Sequence, residues 1–192
     1  ENYYNNYITS KGVKVVVVGD VKQEEILPKL SFLKKLPNKK IDLPKVNATA
    51  SVVDKTKVYM VDIPKAAQSQ FRVGYATGLK YDATGDYYRA RLMNYNLGSD
   101  FNSRLNLNLR EDKGWTYGAR SSFTADEYTG DFEFSSGIRA DATDSALVEV
   151  MKELKNYRDN GITEAELKFM KNSLGQRDAL QYETGFQKAG FI

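Results

Sequence analysis

Arg110 and Tyr117 are two side chains whose types and spacing could do chemistry, although on their own an Arg and a Tyr near a turn are more often structural. They lie seven positions apart in the run Leu105 to Phe123, LNLNLREDKGWTYGARSSF, with the charged turn Asp112-Lys113-Gly114 between them. A guanidinium stays protonated and presents a planar fork of donors. A phenol is a neutral donor at pH 7. Neither group serves there as a base or nucleophile. Both can donate hydrogen bonds to a peptide carbonyl or to a developing oxyanion, and a well-placed donor of that kind contributes roughly 2.7–4 kcal/mol to a transition state. A metal, its activated water and a general base would have to come from elsewhere.

The rest of the composition says why. The chain of 192 residues contains no His and no Cys. Without Cys there are no disulfides, thiol nucleophiles or thiolate metal sites. Without His there is no Ser-His-Asp triad and no H-x-x-E-H motif, and a catalytic zinc site almost always needs imidazole ligands. General acid–base work falls to carboxylates, Lys or Tyr. At 41% hydrophobic and 28% charged, with a net charge of +3, the composition is that of a globular domain long enough for one core. Both signs of charge are spread along the chain, so nothing asks for nucleic acid or an anionic membrane. No apolar run approaches the length of a bilayer span. Glu1-Asn2-Tyr3-Tyr4 is not a natural start, and both ends fall mid-pattern, so the sequence reads as a piece of a longer protein whose compartment its ends do not reveal.

The elements that would hold Arg110 and Tyr117 follow from periodicity. Val13 to Val18 reads as a central strand ending at Gly19-Asp20. Asp20 with Gln23 makes a capping-box pattern for a helix carrying Ile26, Leu27, Leu30 and Leu33 on one face, which Pro28 should kink or delay. Residues 37–50 are polar and Pro-punctuated, and should run extended over the surface. Lys57 to Ile63 alternates as a strand, and Gln68 to Ala76 is the next. Asp82 opens a helix through Leu97, and Asp100 to Arg110 forms another, with Arg110 at its end. Strands near Tyr117 to Ala125 and Gly130 to Arg139 follow, joined by a short turn, with Tyr117 at the first strand's start. Leu147, Val150, Met151 and Leu154 mark a helix stopped at Gly161, and Thr163 with Glu166 caps the last one. The order β-α-β-β-α-α-β-β-α-α predicts an α+β fold in two layers, helices packed on one face of a largely antiparallel sheet.

Several motifs invite comparison. The run VVVVGDV (Val15 to Val21) suggests a nucleotide-binding turn, but neither G-x-G-x-x-G nor G-K-[ST] is present and the structural reading is preferred. Gln68 and Gln70 alternate along their strand and read as a solvated face; Arg104, in Ser103-Arg104-Leu105, reads as a solvated helix position. The segment Leu109-Arg110-Glu111, with Gly114 and Tyr117, closely resembles the LRE-x-x-G-x-x-Y signature of the pitrilysin/insulinase family of zinc metallopeptidases, which includes the mitochondrial processing peptidases. Gly118 also falls at the family's position, and Trp115 replaces the commoner Leu or Phe. PKAAQSQFRVG (Pro64 to Gly74) resembles that family's P-x-x-x-Q-S-x-x-x-x-G stretch, Ser103-Arg104-Leu105 its S-R-L run, and VVVVGDV the segment opening its second domain.

The resemblance implies the C-terminal, non-catalytic domain of such a peptidase, with the metallopeptidase-repeat fold. Residues 1–10 are then expected to be a linker from a preceding domain, and 11–192 the non-catalytic domain, truncated at its C-terminus. It further implies that Arg110 and Tyr117 reach peptide bound at a zinc site carried by another domain in cis or a partner subunit in trans, so that this chain alone holds no zinc and cuts nothing. The substrate would be an extended polypeptide adding a strand to a sheet edge. Two other readings stay open: a structural or assembly subunit of the same fold without a proteolytic role, and a small-molecule-binding α+β domain, for which no pocket motif is present.

Overall fold

Strand β3 (Gly130–Arg139) shows how the sequence builds the sheet. Phe132, Phe134, Ser136 and Ile138 are buried while Asp131 and Arg139 are exposed, the period of two that a strand with one covered face requires. The computed structural model describes residues 1–42 and 54–191. On one side β3 pairs antiparallel with β2 (Thr116–Ala125), on the other with β1 (Gln68–Thr77), so the sheet order is β1-β3-β2. The β2–β3 turn is pinned by Asp126, whose Oδ1 accepts the N–H groups of Tyr128 and Thr129 at 2.7 and 2.8 Å.

The helices are α1 (Asn2–Tyr7), α2 (Gln23–Lys29), α3 (Asp86–Asn94), α4 (Arg104–Asn106), α5 (Thr143–Asn160), α6 (Glu164–Leu180) and α7 (Gly185–Phe191). Both α3 and α4 run on into π-helical turns, Tyr95–Ser99 and Leu107–Asp112. Leu97, Leu105, Leu109, Ala146, Val150 and Tyr157 form one buried cluster with Ala119, Phe132, Phe134 and Ile138 of the sheet. Full burial of one large apolar side chain there contributes about 1.5–3 kcal/mol. Gly98 lets the first π turn approach β2: a Cβ at that position would lie 2.6 Å from the Ser121 backbone nitrogen. The architecture is the expected two-layer α+β arrangement, helices on one face of an antiparallel sheet.

The chain divides into two compact units, Glu1–Lys45 with Lys171–Ile192, and Val46–Met170. In the first, Ile26, Leu30 and Leu33 are half-buried, whereas Leu27 is exposed. The second holds the sheet and the core cluster.

Several expectations about elements are corrected, among them the helix expected from Asp100, which begins at Arg104. Val13 to Val18 adopts no regular secondary structure and belongs to no strand among the described residues, and its valines are 36–51% exposed. Lys57 to Ile63 is likewise unpaired and exposed. Both runs have strand composition, but a strand exists only where a neighbour supplies ladder hydrogen bonds and a covered face. The Asp20–Gln23 box does not form: α2 begins at Gln23 behind Lys22, with no side-chain cap. Pro28 does not delay the start: it sits in the last turn, one residue before the helix ends at Lys29. Most of residues 37–50 lie outside the described residues.

By contrast the Thr163–Glu166 box is complete. Glu166 Oε2 accepts the Thr163 N–H at 2.7 Å, and Thr163 Oγ1 accepts the Glu166 N–H at 3.2 Å. The predicted helix from Asp82 starts four residues later, because Asp82 instead accepts the N–H groups of Thr84 and Gly85 in a tight turn before it.

Candidate functional site

Leucine spacing places Arg110. Leu105 and Leu109, four apart, are fully buried, while Leu107 between them is 42% exposed. Burying residue 109 brings residue 110 to the rim, where the Arg110 side chain is 32% exposed. The turn that carries it is wide: the Lys113 N–H donates to the Asn108 carbonyl at 3.0 Å, five residues back. Such π-helical turns are frequent at functional sites. The chain then reverses at Gly114, whose φ of +63° is strained for any residue with a Cβ. Gly118, by contrast, has no positive φ, and a Cβ there would make only an ordinary contact with Asn106 Oδ1 at 4.0 Å, so the backbone does not require glycine there.

Trp115 fixes the entry into β2. Its side chain packs against the core cluster, and its carbonyl accepts the Arg139 N–H at 2.9 Å. The β2–β3 register then slips between Thr116 and Ala119. Thr116 Oγ1 closes this irregularity: it accepts the Gly118 N–H at 3.1 Å and donates to the Gly118 carbonyl at 3.0 Å, while Ser136 Oγ donates to that carbonyl at 2.9 Å. Bulges of this kind re-aim a side chain. Tyr117 lies within it and is 92% exposed. The two predicted residues therefore stand at the two ends of one braced turn, where their spacing puts them.

Two neighbours of the pair carry no signal in the sequence. The Arg110 guanidinium carbon lies 4.3 Å from the centroid of the Phe101 ring, and Arg110 Nη1 donates to Glu111 Oε1 at 2.6 Å. Asn106, 3% exposed, holds the strand that carries Tyr117, its Oδ1 accepting the Ala119 N–H at 3.0 Å. Phe101 and Asn106 stand in a Gly-Ser-Asp-Phe-Asn loop and on a Leu-rich helix, where their types are unremarkable.

Arg104 is a correction. It is not solvated but 17% exposed, with Nε and Nη2 donating to Glu166 Oε1 and Oε2 at 2.5 and 2.7 Å. Nη2 also donates to the Gly161 carbonyl at 2.9 Å, and the guanidinium carbon sits 4.9 Å from the centroid of the Tyr157 ring. The Arg104 hydrogen bonds, aided by those from Thr163, hold the Glu166 carboxyl down at about 2. Burial pushes the Tyr157 phenol up to about 12, and its OH donates to the Met93 carbonyl at 2.5 Å. This knot joins α4, α5 and α6; it is a structural device. Beside it runs a shallow cleft of about 550 Å³ lined by Arg104, Leu107, Asn108, Glu153 and Thr163, among others, and not by Arg110 or Tyr117. Gln68 and Gln70 are exposed, as expected.

No group of three His, Cys, Asp or Glu side chains suited to a metal ion occurs among the described residues. The donor set does not fit zinc, for want of any imidazole or thiolate. Among the described residues no helix is long and apolar enough to cross a membrane.

A family model described as the peptidase M16 inactive domain matches residues 1–174. None of the curated proteins compared matches this chain. Among solved structures, the chain is similar to a peptidase M16 inactive domain from Pseudomonas fluorescens, with 25% identity and a TM-score of 0.70 over 90% of this chain and 40% of that one. A protease from Helicobacter pylori shares the fold at 21% identity and a TM-score of 0.71, over 90% of this chain and 42% of that one. So does the periplasmic protease PqqL from Escherichia coli, at 16% identity and a TM-score of 0.58, over 90% of this chain and 19% of that one. The chain thus spans about two-fifths or less of the length of these structures.

Proposed function

The chain belongs to the peptidase M16 inactive-domain family, and from that premise we propose that it is the substrate-holding, non-catalytic half of a zinc-dependent metalloendopeptidase. Its partner is a zinc-bearing domain, in the same polypeptide or in a second subunit, and its ligand is an extended peptide bound at that domain's metal. On this reading residues 1–10 lead in from the preceding domain and 11–192 form the non-catalytic one.

The observation that carries the reading is Tyr117. A tyrosine that is 92% exposed, on a strand start held by Trp115, Thr116 and Ser136, contributes almost nothing to the core. A rigid mount for an exposed phenol is what a binding donor requires. Arg110, seven residues away across the Gly114 turn, adds a permanently charged donor on an equally fixed helix end. Together they donate to the carbonyl oxygens of bound peptide or to the oxyanion that forms from one of them.

The test uses the complete protein with its catalytic domain. Arg110→Ala and Tyr117→Phe are expected to lower kcat/KM for peptide hydrolysis and leave zinc content unchanged. A donor used only in the transition state lowers kcat at steady KM; one that merely holds the peptide raises KM. Wild-type kinetics in both variants would overturn the reading and favour a structural subunit.

A further inference from the structure

We propose that Phe101 is a positioning residue for Arg110: a ring platform on which the guanidinium is laid flat so that its edge donors face the peptide. The proposal rests on the reading of Arg110 as a substrate-binding donor.

Phe101 is 58% exposed and outside the core cluster, so burial does not account for a phenyl ring there. The guanidinium carbon of Arg110 sits 4.3 Å from the ring centroid, inside the range of a cation–π contact. A guanidinium laid flat on the ring would use its face there and keep its in-plane N–H groups available. One of these already reaches Glu111, at 2.6 Å. Without the ring, the guanidinium would be held by Glu111 alone among the contacts described, and would swing with that 51%-exposed side chain.

The backbone that carries the platform is fixed. Asp100 Oδ1 accepts the Asn102 N–H at 2.9 Å, and the Ser103 N–H donates to the Asp100 carbonyl at 3.1 Å, which closes the loop around Phe101. Asn106 Nδ2 donates to the Phe101 carbonyl at 2.7 Å. The Oδ1 of the same buried amide accepts the N–H of Ala119, two residues beyond Tyr117. A single side chain therefore ties the backbone of Phe101, whose ring lies under Arg110, to the strand bearing Tyr117. This common tether would keep the two donors in one frame as peptide binds.

The experiment measures peptide hydrolysis by the complete protein with its catalytic domain in four variants: Arg110→Ala, Phe101→Ala, Phe101→Tyr and the double Phe101→Ala/Arg110→Ala. Phe101→Ala should lower kcat/KM roughly two- to five-fold, the effect of losing a partly exposed cation–π contact. Phe101→Tyr, which keeps the ring, should restore it. The double variant should be no worse than Arg110→Ala, because Phe101 acts only through Arg110. If Arg110→Ala keeps wild-type kcat/KM, the reading of the pair falls and this inference with it. If Arg110→Ala is impaired but Phe101→Ala is not, only the inference falls. It falls alone, too, if Phe101→Tyr fails to rescue, or if the double variant loses Phe101→Ala's full factor again.

Discussion

Replacing Arg104 by Met tests how α4, α5 and α6 are held together. The substitution keeps the aliphatic stem and removes the two hydrogen bonds to Glu166, the one to the Gly161 carbonyl, and the cation–π contact with Tyr157. Breaking a fully buried ion pair from one side costs about 3–5 kcal/mol, and an exposed pair about 0–1 kcal/mol. At 17% and 24% exposure the two side chains lie between those limits, and Glu166 keeps its Thr163 donors, so a loss of about 2 kcal/mol is expected at pH 7. The pH dependence is the sharper test. The Glu166 carboxyl titrates at about 2, below its ordinary value of 4.5, chiefly because Arg104 hydrogen-bonds to it. A lowered carboxyl contributes stability that is complete above 4.5 and is lost as pH falls through the folded value. The gap between wild type and Arg104→Met should therefore be constant from pH 7 to about 5 and narrow towards pH 2. Urea unfolding followed by Trp115, the sole tryptophan and packed against the core of this unit, reads the gap directly. A gap that stays the same down to pH 2.5, or one below about 0.5 kcal/mol at pH 7, would refute the assignment of the knot as a structural device.

Three more outcomes follow from the same structure. Tyr117→Phe should leave the urea midpoint of this chain within about 0.5 kcal/mol of wild type, since a 92%-exposed phenol has no buried contact to lose; a strong destabilisation would make it a structural residue. Gly98→Ala should cost about 1–3 kcal/mol, because its Cβ would overlap the backbone of Ser121, and thermal unfolding would show it. Titration calorimetry with zinc should detect no tight specific site in this chain, and one abolished by a carboxylate substitution would contradict the reading of its donor set.

Local chemistry determined a good part of this protein from the sequence alone. The hairpin of β2 and β3 follows from alternation around the Asp126 turn, the start of α6 from Thr163 and Glu166, and the reversal between Arg110 and Tyr117 from Gly114. Each is a contact within a few residues, so spacing is enough to specify it. The absence of His and Cys excluded a metal centre of the usual kind, because ligand chemistry belongs to residue types, not to the fold. Tertiary structure decided the rest. Val13 to Val18 has ideal strand composition and joins no strand among the described residues, since pairing depends on a partner that composition does not name. Arg104 finds Glu166 from 62 positions away, a pairing that no local pattern encodes, and it turns a residue of solvated type into the centre of a half-buried knot. Phe101 lies under Arg110, and Asn106 reaches both the Phe101 loop and β2, because the wide π-helical turn and the slipped register bring three separate segments to one rim. The sequence supplied the two side chains; only packing over distance supplied what braces the backbone that carries them.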